Sequence, residues 1–231
     1  MWSRSELKYL AKGMLSQNYG TLFAISLIVG LLSGGGGAFS SLTSNLQNQM
    51  DGSAILALIV AIFGLLGSLF TIFVGFPVQA GGAKAFLDAT QGFYDVSGVF
   101  YYFKEKRYSN TVLVMFLTNL FIGLWSLLLI IPGIIKAYAY RMVPYILAEN
   151  PAINYKTAMQ LSDRMTLGHK MDMFVLELSF IGWTLLGVAA CGFGVLFVQP
   201  YVQATQAHLY LQLKGLAMQK GLFTQNDFYA I

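Results

Sequence analysis

The apolar positions of this chain fall in long unbroken runs, unlike the alternation of a strand or the single stripe of a soluble helix. Residues 54–76, AILALIVAIFGLLGSLFTIFVGF, contain no charge and make ~34 Å of helix against a hydrocarbon core of ~30 Å. Residues 111–131, TVLVMFLTNLFIGLWSLLLII, are equally apolar, with Asn119 the strongly polar exception. Runs at 171–191 and 194–214 follow, the first carrying Glu177 and the second Gln199, Gln203 and Gln206 on one face. The first run, 19–37, sits behind a polar lead-in with capping-box spacing at Ser3 and Glu6 and with Leu7, Leu10, Ala11 and Leu15 along one side. That lead-in is long for the basic leader of a signal peptide, so the run reads as a retained span behind an amphipathic helix.

One stretch resists the pattern. IIPGIIKAYAYRMVPYILAEN (130–150) is apolar yet holds Pro132, Gly133, Lys136, Arg141 and Pro144. Charge decides its path. If it crosses, twelve of the fourteen Lys and Arg fall on one side, and the outer connections (about 38–53, Pro132-Gly133 and 192–194) carry none. If it does not, Lys156, Arg164 and Lys170 lie outside, against the positive-inside rule. The expected architecture is an all-α polytopic membrane bundle of about six spans, forming one domain over 1–231. The spans are 19–37, 54–76, 111–131, 132–148, 171–191 and 194–214, with both termini cytoplasmic. Pro132-Gly133 is the tight outer turn, and Lys136 reaches the outer interface.

Arg141 then sits about halfway through the fourth span, where an arginine costs ~2.5–3.5 kcal/mol on insertion scales and calls for a partner. Glu177, ~8 Å inside the next span, lies at similar depth. The carbonyl of Tyr140, freed by Pro144, is a second acceptor within reach. The pair reads equally as a structural clamp and as a gate or anionic headgroup site. Asn119, Gln199, Gln203 and Gln206 read as interhelical hydrogen-bonding groups or as a polar path. Ala57, Ala61, Gly64, Ser68 and Gly75 form a small-residue stripe that predicts close helix packing. Between the spans, aromatic and basic residues at 93–107 and an amphipathic pattern at 150–170 predict interfacial cytoplasmic helices, with Gly168 as the C′ residue of the second.

Composition supports the lipid reading. Of 231 residues 56% are hydrophobic and 10% charged, and the mean hydropathy is +0.62, where a soluble domain is about a quarter charged. The net charge of +4 fits basic loops at an anionic leaflet. Nucleic acid is excluded as a partner, because the aromatics lie in apolar runs instead of basic ones. Cys191 is the only cysteine, and the histidines at 169 and 208 lack companions for a metal site. No nucleophile elbow, phosphate-cradling loop or metalloprotease helix occurs, so no cofactor, metal or catalytic residue is expected.

LWSLLLIIPGIIKAYAYRMVPYILAENP, followed by LELSFIGW and QPY, resembles a bacterial membrane family, domain-of-unknown-function family 975. SRSELK, FPVQAGGAKAFL and GHK extend the similarity, and a Pro-Gly before a tyrosine-rich apolar helix is faintly similar to the membrane domain of glycerophosphodiester phosphodiesterases. The resemblance implies a multi-pass bacterial plasma-membrane protein and brings no activity. The expected function is that of a non-enzymatic membrane component binding a lipid, peptide or protein partner, with self-association open. The alternative is a small transporter or channel with its polar path near Arg141 and Glu177.

Overall fold

The computed structural model describes residues 2–48, 54–104, 108–189 and 194–228, with side chains described at all of these except 35–48 and 54–56. The outer connection at 38–53, the turn at 192–194 and the basic pair at 106 and 107 fall wholly or partly outside them. Among the described residues the chain is helix and turn, with no strand.

Helix α1 (Arg4–Asn48) begins as its lead-in predicts, with Ser3 Oγ accepting from the Glu6 amide at 3.1 Å. Asn18 leaves helical geometry and its Oδ1 accepts from the Thr21 amide at 3.3 Å, so one residue ends the lead-in and caps the span. Leu7, Ala11, Met14 and Leu15 are buried, so the lead-in packs against the bundle; Leu10 faces outward.

The second rod overruns its expected end. Helix α2 (Ala54–Phe70) passes through a π turn, Thr71–Gly75, into α3 (Phe76–Ala89). FPVQAGGAKAFL, expected in a loop over 77–110, is therefore the buried continuation of the span. Pro77 explains the π turn: it has no N–H to donate, and the Phe76 amide instead reaches the Thr71 carbonyl across the widened loop. A 3₁₀ turn (Val96–Phe100), started by the Asp95 carboxylate accepting from the Ser97 amide at 2.8 Å, leads into the short α4 (Tyr101–Lys104). Val99 lies on Gly81 of α3, where any side chain would collide with the Val99 carbonyl.

Helix α5 (Tyr108–Leu128) ends at Leu129, which is extended, and α6 (Ile130–Ala139) starts immediately. The turn is thus at Leu129 and not at Pro132-Gly133. Pro132 occupies the first turn of α6, where no intrahelical donor is required, and Gly133 lets α6 lie on Ser126 of α5. The chain then runs back along α5 through a break at residues 140–142 and α7 (Val143–Glu149), until Asn110 Nδ2 donates to the carbonyls of Pro151 and Ile153 at 2.9 and 3.0 Å. Helices α8 (Tyr155–Thr166), α9 (Lys170–Ala189) and α10 (Gly194–Gln219) complete the bundle, with a 3₁₀ turn at Gln225–Phe228. Gly168 follows α8 at φ +80°, as the C′ position requires.

Among the described residues four helices are long and apolar enough to cross a membrane: Arg4–Gly34, Ala57–Ala89, Tyr108–Leu128 and Lys170–Ala189. The expected fourth crossing is divided into helices of 10 and 7 residues, and the expected sixth is 26 residues long but polar. The core lies at one end of the bundle, around Phe86, Met142, Ile146, Leu147, Leu209, Tyr210 and Leu213, all at 0% exposure. At the other end Leu58, Leu65, Leu127, Ile130 and Leu185 are exposed. Among the described residues, each hairpin there is pinned by a glycine: Gly75 on the backbone of α1, Gly133 on Ser126, and Gly187 on Gly194.

Candidate functional site

The break between α6 and α7 builds the site. Pro144, at the start of α7, forbids a continuous helix, since its ring has no N–H and would clash with the preceding turn. In lipid the exposed backbone groups of such a break would cost several kcal/mol each. Helix α8 satisfies them. Ser162 Oγ accepts from the Met142 amide at 3.2 Å and donates to the Ala139 carbonyl at 2.6 Å, with Thr166 Oγ1 donating to the same carbonyl at 3.4 Å. The Tyr140 carbonyl accepts from the Val143 amide at 3.2 Å, and the hydrogen bonds shown for Arg141 go to side chains instead.

Held in this turn, Arg141 forms an ion pair through Nη2 with Glu177 Oε1, the pairing expected from depth alone. The pair is embedded in a larger group. Arg141 Nε donates to Gln206 Oε1 at 3.2 Å, and Gln206 Nε2 donates to Glu177 Oε1 at 3.4 Å. Tyr138 Oη donates to Glu177 Oε2 at 2.5 Å, and the Tyr138 ring faces the guanidinium at 5.7 Å. Tyr138 precedes Arg141 by three residues, a helical spacing that could have flagged it. Lys136 does not reach toward the outer interface: its ammonium lies 3.9 Å from Asp163 of α8, whose other oxygen binds Lys170 at 2.8 Å.

Above this group is a cavity of about 820 Å³ between α1, α3, α5, α6 and α10. Asn119, Arg141, Gln199, Gln203 and Gln206 all line it, so the residues read as a polar path converge on one space. Ser26, Gln79 and Thr118 join them, unforeseen; Gln79 was hidden because its segment reads as loop. Beneath, the Tyr145 ring stacks on that of Tyr210 at 5.4 Å and closes the floor. The small-residue stripe is elsewhere: Ala57, Ala61 and Ser68 are exposed and nothing lies within 4 Å of a Cβ at Gly64. Only its last member, Gly75, packs closely. The face that meets another helix has moved to Gly75, Gly81 and Gly82, because the rod is buried along α3 and bare along α2.

Among the described residues no three of His, Cys, Asp and Glu gather into a group that could hold a metal ion. Residues 127–217 match the family model described as Protein of unknown function (DUF975). This segment is similar to the DUF975 family. The DUF975 match spans the end of α5 through most of α10 and holds Tyr138, Arg141, Glu177, Gln199, Gln203 and Gln206 together. SRSELK and FPVQAGGAKAFL, which also resemble the family, lie outside the matched DUF975 residues, as do Ser26, Gln79 and Asn119. No curated protein and no solved structure matches the chain.

Proposed function

We propose that this chain is a multi-pass bacterial plasma-membrane protein, without catalytic activity of its own, that binds a membrane-borne ligand in the cavity above Arg141. The observation carrying this reading is a polar cavity with one closed end. Arg141, Gln206 and Tyr145 line its inner side, while Asn119 and Gln199 on its wall are exposed at the surface that lipid would cover. A volume of about 820 Å³ falls within the ~300–1,000 Å³ of small-molecule sites. The basic residues crowd the packed end, which the positive-inside rule assigns to the cytoplasm together with both termini. In this arrangement α6 and α7 jointly make a fourth, broken crossing and α10 the sixth. The break resembles in kind the discontinuous helices that build binding sites in membrane proteins.

The test is a photo-crosslinking residue at Gln203, compared with one at Leu186 on the exposed face of α9. A ligand site gives one enriched adduct at Gln203 and the bulk lipid composition at Leu186. Bulk composition at both positions would remove the reading. The segment at 93–104 supports a second proposal, a cytoplasmic partner, through Phe93, Phe100 and Phe103, all exposed. A transporter is the alternative: it predicts altered flux in proteoliposomes on Arg141→Ala or Glu177→Gln, and unchanged flux in both would eliminate it.

A further inference from the structure

The chemistry of the cavity wall names the class of its ligand, and the argument rests on the cavity being a binding site. Three of its hydroxyls are turned back into their own helices. Thr118 Oγ1 donates to the Val114 carbonyl at 2.7 Å, Thr71 Oγ1 to the Gly67 carbonyl at 3.0 Å, and Ser33 Oγ to the Val29 carbonyl. Asn119 Nδ2 likewise donates to the Met115 carbonyl at 2.8 Å. What remains from the three hydroxyls is acceptor oxygen, and Asn119 keeps its carbonyl oxygen and one N–H. Three amides, Gln79, Gln199 and Gln203, make no side-chain hydrogen bond among the described residues and offer both a donor pair and an acceptor. Ser26 Oγ is buried at 3% residue exposure on the cavity wall with no partner. A buried hydroxyl left unpaired is destabilising, and a bound ligand would supply the missing partner.

The single cation of the wall is already matched. Arg141 is neutralised by Glu177, and its Nε is held by Gln206. A phosphate would bring a net charge to a wall with no free cation, and no donor of its own for the acceptor oxygens there. A group with many hydroxyls brings donors to those oxygens and acceptors to the glutamine amides. We infer that the cavity takes an uncharged polyhydroxyl group, the headgroup of a neutral glycolipid or the corresponding free sugar, and selects it over an anionic phospholipid headgroup. The glutamines Gln199 and Gln203, one turn apart on α10, are the specificity-determining residues.

The full-length protein is purified without sugar-headgroup detergent, and equal mixtures of monoglucosyl diacylglycerol and phosphatidylglycerol are offered in vesicles. Retained lipid is read by native mass spectrometry, and methyl glucoside is the soluble competitor. The expected result is glycolipid enrichment, lost about tenfold in Gln199→Leu/Gln203→Leu, equivalent to two ordinary hydrogen bonds. Retention of methyl glucoside itself, with no retained glycolipid, would assign the same chemistry to a free sugar. Glu177→Gln, nearly isosteric, unmasks the guanidinium and shifts retention toward phosphatidylglycerol. Phosphatidylglycerol preferred by the unaltered protein, with the same dependence on Gln203, would overturn the ligand class while leaving the cavity as a site. No adduct at Gln203 and no retention of any probe would overturn both.

Discussion

The hydroxyl of Ser162 takes the amide proton of Met142 at 3.2 Å, twenty residues away in the chain. With its donated bond to Ala139, this serine splints the broken helix from outside. Ser162→Ala leaves a buried N–H and a carbonyl short of partners, an expected loss of about 1–3 kcal/mol. Thermal unfolding in micelles checks it, with the exposed Gln160→Ala as the neutral comparison on the same helix. Equal midpoints for the two would show that Ser162 holds nothing.

Arg141 and Glu177 should fail singly and survive jointly. Arg141→Met strands a carboxylate among Tyr138 and Gln206, a loss of about 3–5 kcal/mol for a buried pair. With side chains 34% and 28% exposed, the lower end is expected. Arg141→Met/Glu177→Leu removes both charges and recovers most of that loss. A double-mutant cycle on denaturant midpoints measures the coupling, and additive losses would contradict it.

Two glycines of one rod predict opposite outcomes. Gly64 has open space around it, so Gly64→Ala should raise stability by up to about 1 kcal/mol through helix propensity. Gly81→Ala drives a methyl into the Val99 carbonyl and should displace the 93–104 segment. Protease sensitivity of that segment, compared in the two variants, separates them.

The path of the chain across the membrane is checked with single cysteines at Ser44, Gln160 and Gln225 on a Cys191→Ala background. An impermeant thiol reagent on intact cells should label Ser44 alone. Labelling at Gln160 would mean that α6 and α7 do not return the chain to the cytoplasm.

Much of the site was readable because helical spacing converts sequence into depth. Arg141 and Glu177 were matched by counting residues from the ends of their spans, and the steps of four and three between Gln199, Gln203 and Gln206 put them on one side of α10. Spacing does not say which side has a neighbour. Ala57, Ala61 and Ser68 share a face as the sequence implies, yet all three are exposed. Nor does it show how a proline is absorbed. Pro77 looked like the end of a span, but the π turn before it carries the rod on, and Gln79 enters the cavity unannounced. Pro132 looked like a turn, but it opens a helix.

The one-sided core divides responsibility for the fold between protein and bilayer. The end around Phe86 and Leu209 is held by contacts within the chain, whereas the hairpins at the bare end are each pinned but have no shared core between them. On the membrane reading proposed above, their separation would be set by lateral pressure from surrounding acyl chains. Membrane tension and lipid order would then act on the cavity width, and through it on what the cavity could admit.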